Sequence, residues 1–176
     1  MPSMASRTPR SRIPAAQFSH DADAFLREHA PDAEEGSLAL GMLLVRAANS
    51  YIQSSEREVL RPRGLRWAGF SALFILRIYR SLEASALSRL AGVSRQAASI
   101  MLSGLQKEGL IERAEPASDR RIVPMRLAES GEKVADETLD AELERSQRWF
   151  ASLTPRERAE LNRLLEKVLV GESGRS

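Results

Sequence analysis

Cysteine is absent from these 176 residues, which excludes disulfides, thiolate metal ligation and cysteine-based oxidation sensing. Histidine is scarce: His20 and His29 lie nine positions apart near the N-terminus, a spacing unsuited to a shared metal, and both read as surface residues. No apolar run approaches the roughly eighteen residues that a membrane span requires. The early arginines are not followed by the apolar stretch of a secretion signal. There is no Gly-rich phosphate loop and no constellation of Ser, His and acid that would support nucleophilic catalysis. These absences predict a soluble, cytoplasmic protein that is not an enzyme and requires no metal or cofactor. The length suits one domain able to bury a core.

The informative segment is Ala84–Leu127. Ser85 to Ala91 forms a compact amphipathic turn and a half, and Gly92 can adopt the left-handed conformation that closes a short helix. Ser94 stands where an N-cap oxygen is wanted. From Ser94 to Glu108 no proline intervenes, and Ala97, Ile100/Met101 and Leu105 recur at helical spacing, predicting the buried face. Gln96, Ser99, Ser103 and Gln106 form the opposite, polar stripe. Any soluble helix has a polar face, so the flanks decide its meaning. Downstream, Gly109-Leu110-Ile111 ends the helix and starts an extended run into the turn-forming cluster Glu115-Pro116-Ala117-Ser118-Asp119. The return strand, Arg121 to Leu127, alternates with Val123, Met125 and Leu127 on its apolar side. Pro124 cannot donate to a ladder, which predicts an edge position in a two-stranded hairpin.

This order of elements is a winged helix-turn-helix. Its second helix would enter a major groove, where Ser94, Arg95, Gln96, Ser99 and Ser103 would meet phosphates and base edges. Arg120 and Arg121 at the hairpin tip suit a narrow minor groove, with Asp119 orienting Arg121. From Ala84 to Arg126 there are seven basic residues against four acidic, while Leu127 to Ser176 has eight against eleven. The groove-facing segment is therefore the more positive one.

The remaining segments predict a helical scaffold. Ser37 caps a helix running to about Arg61, broken by Pro62 and Gly64. Its two apolar stripes, Leu38/Met42/Val45/Ala48/Ile52 and Leu40/Leu43/Ala47/Tyr51, exceed what one face needs. Such a helix suits an element shared between a core and a subunit interface. Trp67 to Tyr79 is densely apolar and reads as central. Glu129 to Phe150 is a long acidic helix with Val134, Leu139, Leu143, Trp149 and Phe150 as its apolar positions. Thr154-Pro155-Arg156-Glu157 is a capping box opening a helix striped by Leu161, Leu164/Leu165 and Val168/Leu169, which Gly171 ends. At the N-terminus, Ser19 caps a short helix stopped before Pro31.

Gln106-Lys107-Glu108-Gly109-Leu110-Ile111-Glu112-Arg113, Asp119-Arg120-Arg121 and Leu127-Ala128-Glu129-Ser130-Gly131 together resemble the MarR family of bacterial transcriptional regulators, from about Ser37 to Val170. One departure is Ala128, where the family usually places a capping Thr. The resemblance implies a mainly α fold with a small β-hairpin wing. Residues 1–18 are then a disordered basic tail, 19–36 an extra helix and linker, and 37–170 the winged helix-turn-helix domain. Within that domain the DNA-binding lobe covers about 64–127, the dimerisation helices cover about 37–62 and 128–170, and 171–176 form a tail.

The resemblance further implies a homodimer on an imperfect palindromic double-stranded operator, acting as a repressor released by a small ligand. By region, Arg46, Tyr51, Trp67, Phe70 and Arg77 are the effector-pocket candidates, a set suited to an anionic aromatic compound. An extra N-terminal helix is similar to that of the urate-responsive subgroup. That subgroup's Trp in the extra helix and its Asp at the position of Ser71 are both missing, which argues against urate. The alternative function is a winged-helix module that binds protein rather than DNA.

Overall fold

The computed structural model describes residues 15–30, 36–114 and 124–173. The chain divides into two compact units, Met1–Tyr51 and Ile52–Ser176. In the first, α1 spans Ala15–His29 and α2 begins at Ser37, ending at Ser55 in the second unit. Helix α1 starts ahead of the expected cap at Ser19, because Ala15, Ala16 and Gln17 favour helix and Gln17 Nε2 donates to Asp21 Oδ1 at 2.8 Å. At its other end the Phe25 and His29 rings stack with centroids 4.0 Å apart. On α2, Ala39 is buried, whereas Leu38, Leu40, Met42, Leu43, Leu44 and Val45 are all exposed.

In the second unit the helical path loosens where the sequence predicted continuous α-helix to Arg61. A wide turn, Glu56–Leu60, is closed by Arg61 N–H donating to the Glu56 carbonyl, and a tight turn follows at Arg61–Arg63. Pro62 has no N–H for a regular helical bond. Gly64, at φ 74°, then reverses the chain.

Helix α3 (Trp67–Tyr79) occupies the centre, as its apolar density predicts, and buries Phe70, Leu73 and Leu76. Around it pack α4 (Ala84–Leu90), α5 (Arg95–Lys107), β3 (Met125–Leu127) and α6 (Glu129–Trp149). Leu60, Leu73 and Leu87 retain 0% exposure at the middle of this core.

The sheet is a correction to the two-stranded hairpin. It has three antiparallel strands in the order β1-β3-β2, with β1 at Ser81–Leu82 and β2 at Ile111–Arg113. β3 is thus the middle strand. Pro124 is tolerated because it sits just before β3, where only its carbonyl is used, accepting from Ala114 N–H at 2.8 Å. Met125 and Leu127 are buried and Arg126 is exposed, as the alternation predicts. Val123 lies outside the described residues.

Helix α6 also departs from its expected face. Its buried residues are Gly131, Ala135, Thr138, Glu142 and Arg145, while Leu143 and Trp149 are exposed. Polar groups can be buried here because they are paired. Ser55 Oγ donates to one Glu142 oxygen, and Arg145 Nε donates to the other at 3.0 Å. As Ala128 predicts, the helix has no side-chain cap. Its start is held instead by Ala128 N–H on the Leu110 carbonyl at 3.0 Å and by Ser130 Oγ donating to the Gly109 carbonyl at 2.7 Å.

Helix α7 (Pro155–Ser173) opens on the expected capping box: the Thr154 amide and hydroxyl donate to Glu157 at 2.7 and 2.8 Å. Gly171 does not end it. The helix runs on to Ser173, since a helical glycine costs only about 1 kcal/mol. Leu161, Leu164, Val168 and Leu169 are exposed along it. Among the described residues, no helix is long and apolar enough to cross a membrane.

Candidate nucleic-acid interface

The site is assembled by the turn between α4 and α5. Gly92, at φ 65°, terminates the first helix, and Ser88 Oγ donates to the Val93 carbonyl at 2.8 Å, fixing the turn from within. Ser94 accepts from Ala97 N–H at 3.2 Å and so caps α5 as predicted. Its hydroxyl is first of all a structural group.

The buried side of α5 is Ala98, Leu102 and Leu105, with Met101 partly buried. This corrects the predicted stripe by about one position: Ala97 and Ile100 are exposed. Sequence spacing alone admits either phase, because Ala97 and Ala98 are equally apolar. Packing against α3 and α4 selects the second. Gln96, Ser99, Ser103 and Gln106 are exposed, as predicted, and so is Arg95.

Of these, Arg95, Ser99, Ser103 and Gln106 line one open groove of about 800 Å³ that also takes in Ser85 from α4 and Arg113 from β2. Hydroxyls, an amide and two guanidinium groups thus converge on a concave surface, a donor-rich lining suited to phosphates and base edges. Gln96 is not part of that lining. It lies further around the helix, on its outward side. Ser85 and Arg113 were not singled out in the sequence. Arg113 had a usable signal: in an alternating strand that begins with the buried Ile111, the next two residues divide between the faces. Glu112 is paired with Arg126 at 2.7 Å across the sheet. Asp119, Arg120 and Arg121 lie outside the described residues.

A second, more apolar groove of about 380 Å³ runs along the other flank of α5, between Ala97, Met101 and Gly104 and the segment Gly64–Gly69. That segment is organised by Glu56. Its Oε1 accepts the Trp67 amide at 3.2 Å, and its Oε2 accepts from Arg61 and Arg66 at 3.2 Å each. Partial burial pushes the Glu56 carboxyl up, but the bonds from Trp67, Arg66 and Arg61 together outweigh this and leave it below its ordinary value. Glu56 thereby supplies the cap for α3 that its own N-cap residue, Arg66, does not.

The effector candidates fall in both units, Arg46 and Tyr51 in the first and Trp67, Phe70 and Arg77 in the second. Trp67 packs on Phe70 with centroids 5.9 Å apart, and Phe70 is buried in the core. Arg77 makes a two-pronged ion pair with Asp136, at 2.8 and 3.1 Å. Among the described residues, no group of His and acid side chains is placed to hold a metal.

Residues 65–123 match the MarR family. The transcriptional repressor MprA of Escherichia coli (strain K12) is 29% identical over 122 residues, 68% of this chain and 69% of that protein. A crystal structure of a mutant MarR from E. coli complexed with operator DNA superposes with a TM-score of 0.68 at 25% identity, covering 82% of this chain and 97% of that one. A MarR family protein of Mycobacterium tuberculosis, in complex with salicylic acid, gives 0.61 at 29% identity, covering 79% and 98%. The matched relatives with stated functions are regulators rather than enzymes. With a helix-turn-helix, a sheet and a donor-lined groove arranged in this way, the chain is similar to the MarR family, the family match itself falling on residues 65–123.

Proposed function

We propose that this chain is a DNA-binding transcriptional regulator, a homodimeric repressor that is released by a small ligand. The observation that carries the reading is the groove in which Arg95, Ser99, Ser103 and Gln106 of α5 meet Ser85 and Arg113. It is supported by the MarR crystallised on operator DNA and by a relative that is a repressor. In this reading residues 64–127 form the DNA-binding lobe, with α5 in the major groove and Arg120 and Arg121 in the adjacent minor groove. The exposed apolar residues of α2 and α7 form the dimer contact. Two recognition helices about 34–36 Å apart would then require an imperfect palindrome.

The effector in this reading is a small anionic aromatic compound, in keeping with the salicylic acid bound by the mycobacterial relative. At Arg77 such a ligand would have to compete with Asp136 for the guanidinium.

Gel-shift titration on the DNA upstream of the protein's own gene, repeated in rising salt, tests the reading. Affinity should fall steeply with salt, and Arg120→Ala should weaken binding and lower the salt slope by about one. Binding to protein partners with none to duplex DNA, even at low salt, would establish the alternative, a protein-interaction module. Thermal-shift measurements with salicylate test the effector assignment.

A further inference from the structure

Ile100 is 69% exposed, although its spacing predicts a core residue. At about 100° per residue it falls roughly opposite Ala98, Leu102 and Leu105, the side of α5 that the core covers. It therefore stands on the outward side of the helix, at the rim of the apolar groove that α5 forms with the segment Gly64–Gly69. Its neighbours one turn away are Gln96, Ala97, Ser103 and Gly104, all small or polar. At Gly104 even an added Cβ would meet nothing. Ile100 is thus a single branched apolar knob projecting from a slim helix surface, with the donor-rich stripe of Arg95, Ser99, Ser103 and Gln106 beside it.

Resting on the DNA-binding reading above, we infer that Ile100 is a specificity-determining residue that reads the C5-methyl group of a thymine in the major groove. The thymine methyl is the apolar feature that base edges present there. An isoleucine cannot satisfy the amino or carbonyl groups of other bases, and covering them without a partner is unfavourable. The small residues Ala97 and Gly104 let the helix seat deeply enough for the knob to reach the edge of the base. Gln96 and Ser103, on the same side, are placed to hydrogen-bond to the neighbouring positions.

The test uses the full chain and a duplex that it enriches from a random 25-base-pair library. Each thymine is then replaced in turn by deoxyuridine, which removes only the methyl group. The wild type should bind about fourfold more weakly for the methyl that Ile100 covers, the effect of one buried carbon. Ile100→Ala should bind the thymine and uracil duplexes equally, while Ser99→Ala keeps the discrimination. Thermal unfolding confirms that both variants are folded. If the enriched duplex binds but no thymine is sensitive, or if Ile100→Ala is as sensitive as the wild type, the inference is overturned and the DNA reading stands. If no duplex is enriched at any salt concentration, the DNA reading falls, and the inference with it.

Discussion

Gly131 and Gly104 are both helical glycines, and replacing each with alanine should have opposite effects. At Gly131 a Cβ would collide with the Leu110 carbonyl oxygen, a backbone atom that no rotamer change can move. Gly131→Ala should therefore cost about 3 kcal/mol. At Gly104 a Cβ meets nothing within 4 Å, so Gly104→Ala should gain about 0.5–1 kcal/mol through a stiffer unfolded chain and better helix propensity. Urea denaturation of the two variants beside the wild type reads both signs. The sequence marks Gly131 only as part of a recurrent pattern. The reason, an approach of α6 to the end of α5, involves residues about twenty positions apart and becomes visible only once the two helices meet.

Between elements, two ties hold α6 in place. The first is the buried group of Ser55, Glu142 and Arg145, whose ion pair is at 3.0 Å with side chains 5% and 1% exposed. Glu142→Ala would remove the carboxylate from a buried ion pair and should destabilise by about 3–5 kcal/mol. Glu142→Gln, which keeps an acceptor, should cost less. Equal thermal stability of Glu142→Ala and the wild type would remove the pair from the account. The second tie is the Arg77–Asp136 pair between α3 and α6. Hydrogen bonding from Arg77 holds the Asp136 carboxyl below its ordinary value. A lowered folded-state value means that this contribution is complete above the unfolded-state value and is lost as pH falls through the folded one. The stability difference between the wild type and Asp136→Asn should accordingly be present at neutral pH and close on acidification below the carboxylate range. Both partners are solvent-accessible, so the difference is small; a gap that did not change with pH would show that charge plays no part in it.

At the scale of the molecule, the large apolar side chains left open on α2 and on α7 are the prominent unsatisfied feature of a single chain. If they form the dimer contact, Leu164→Glu should shift sedimentation toward monomer without loss of helical signal and should weaken operator binding. A wild type that is already monomeric at micromolar concentration would contradict that role. Local chemistry was enough to place Gly92, Ser94, the Thr154–Glu157 capping box and the span of α3, because caps, turns and dense apolar runs act over a few neighbouring residues. Four features were decided only by tertiary structure. They are the phase of α5, the third strand at Ser81–Leu82, the polar buried face of α6 and the outward position of Ile100. Each depends on which distant surface a residue meets. Helical periodicity allows two adjacent phases when Ala97 and Ala98 are equally apolar, a two-residue strand has no pattern to recognise, and the buried Glu142 is satisfied not by Arg145 alone but also by Ser55, far away in the sequence.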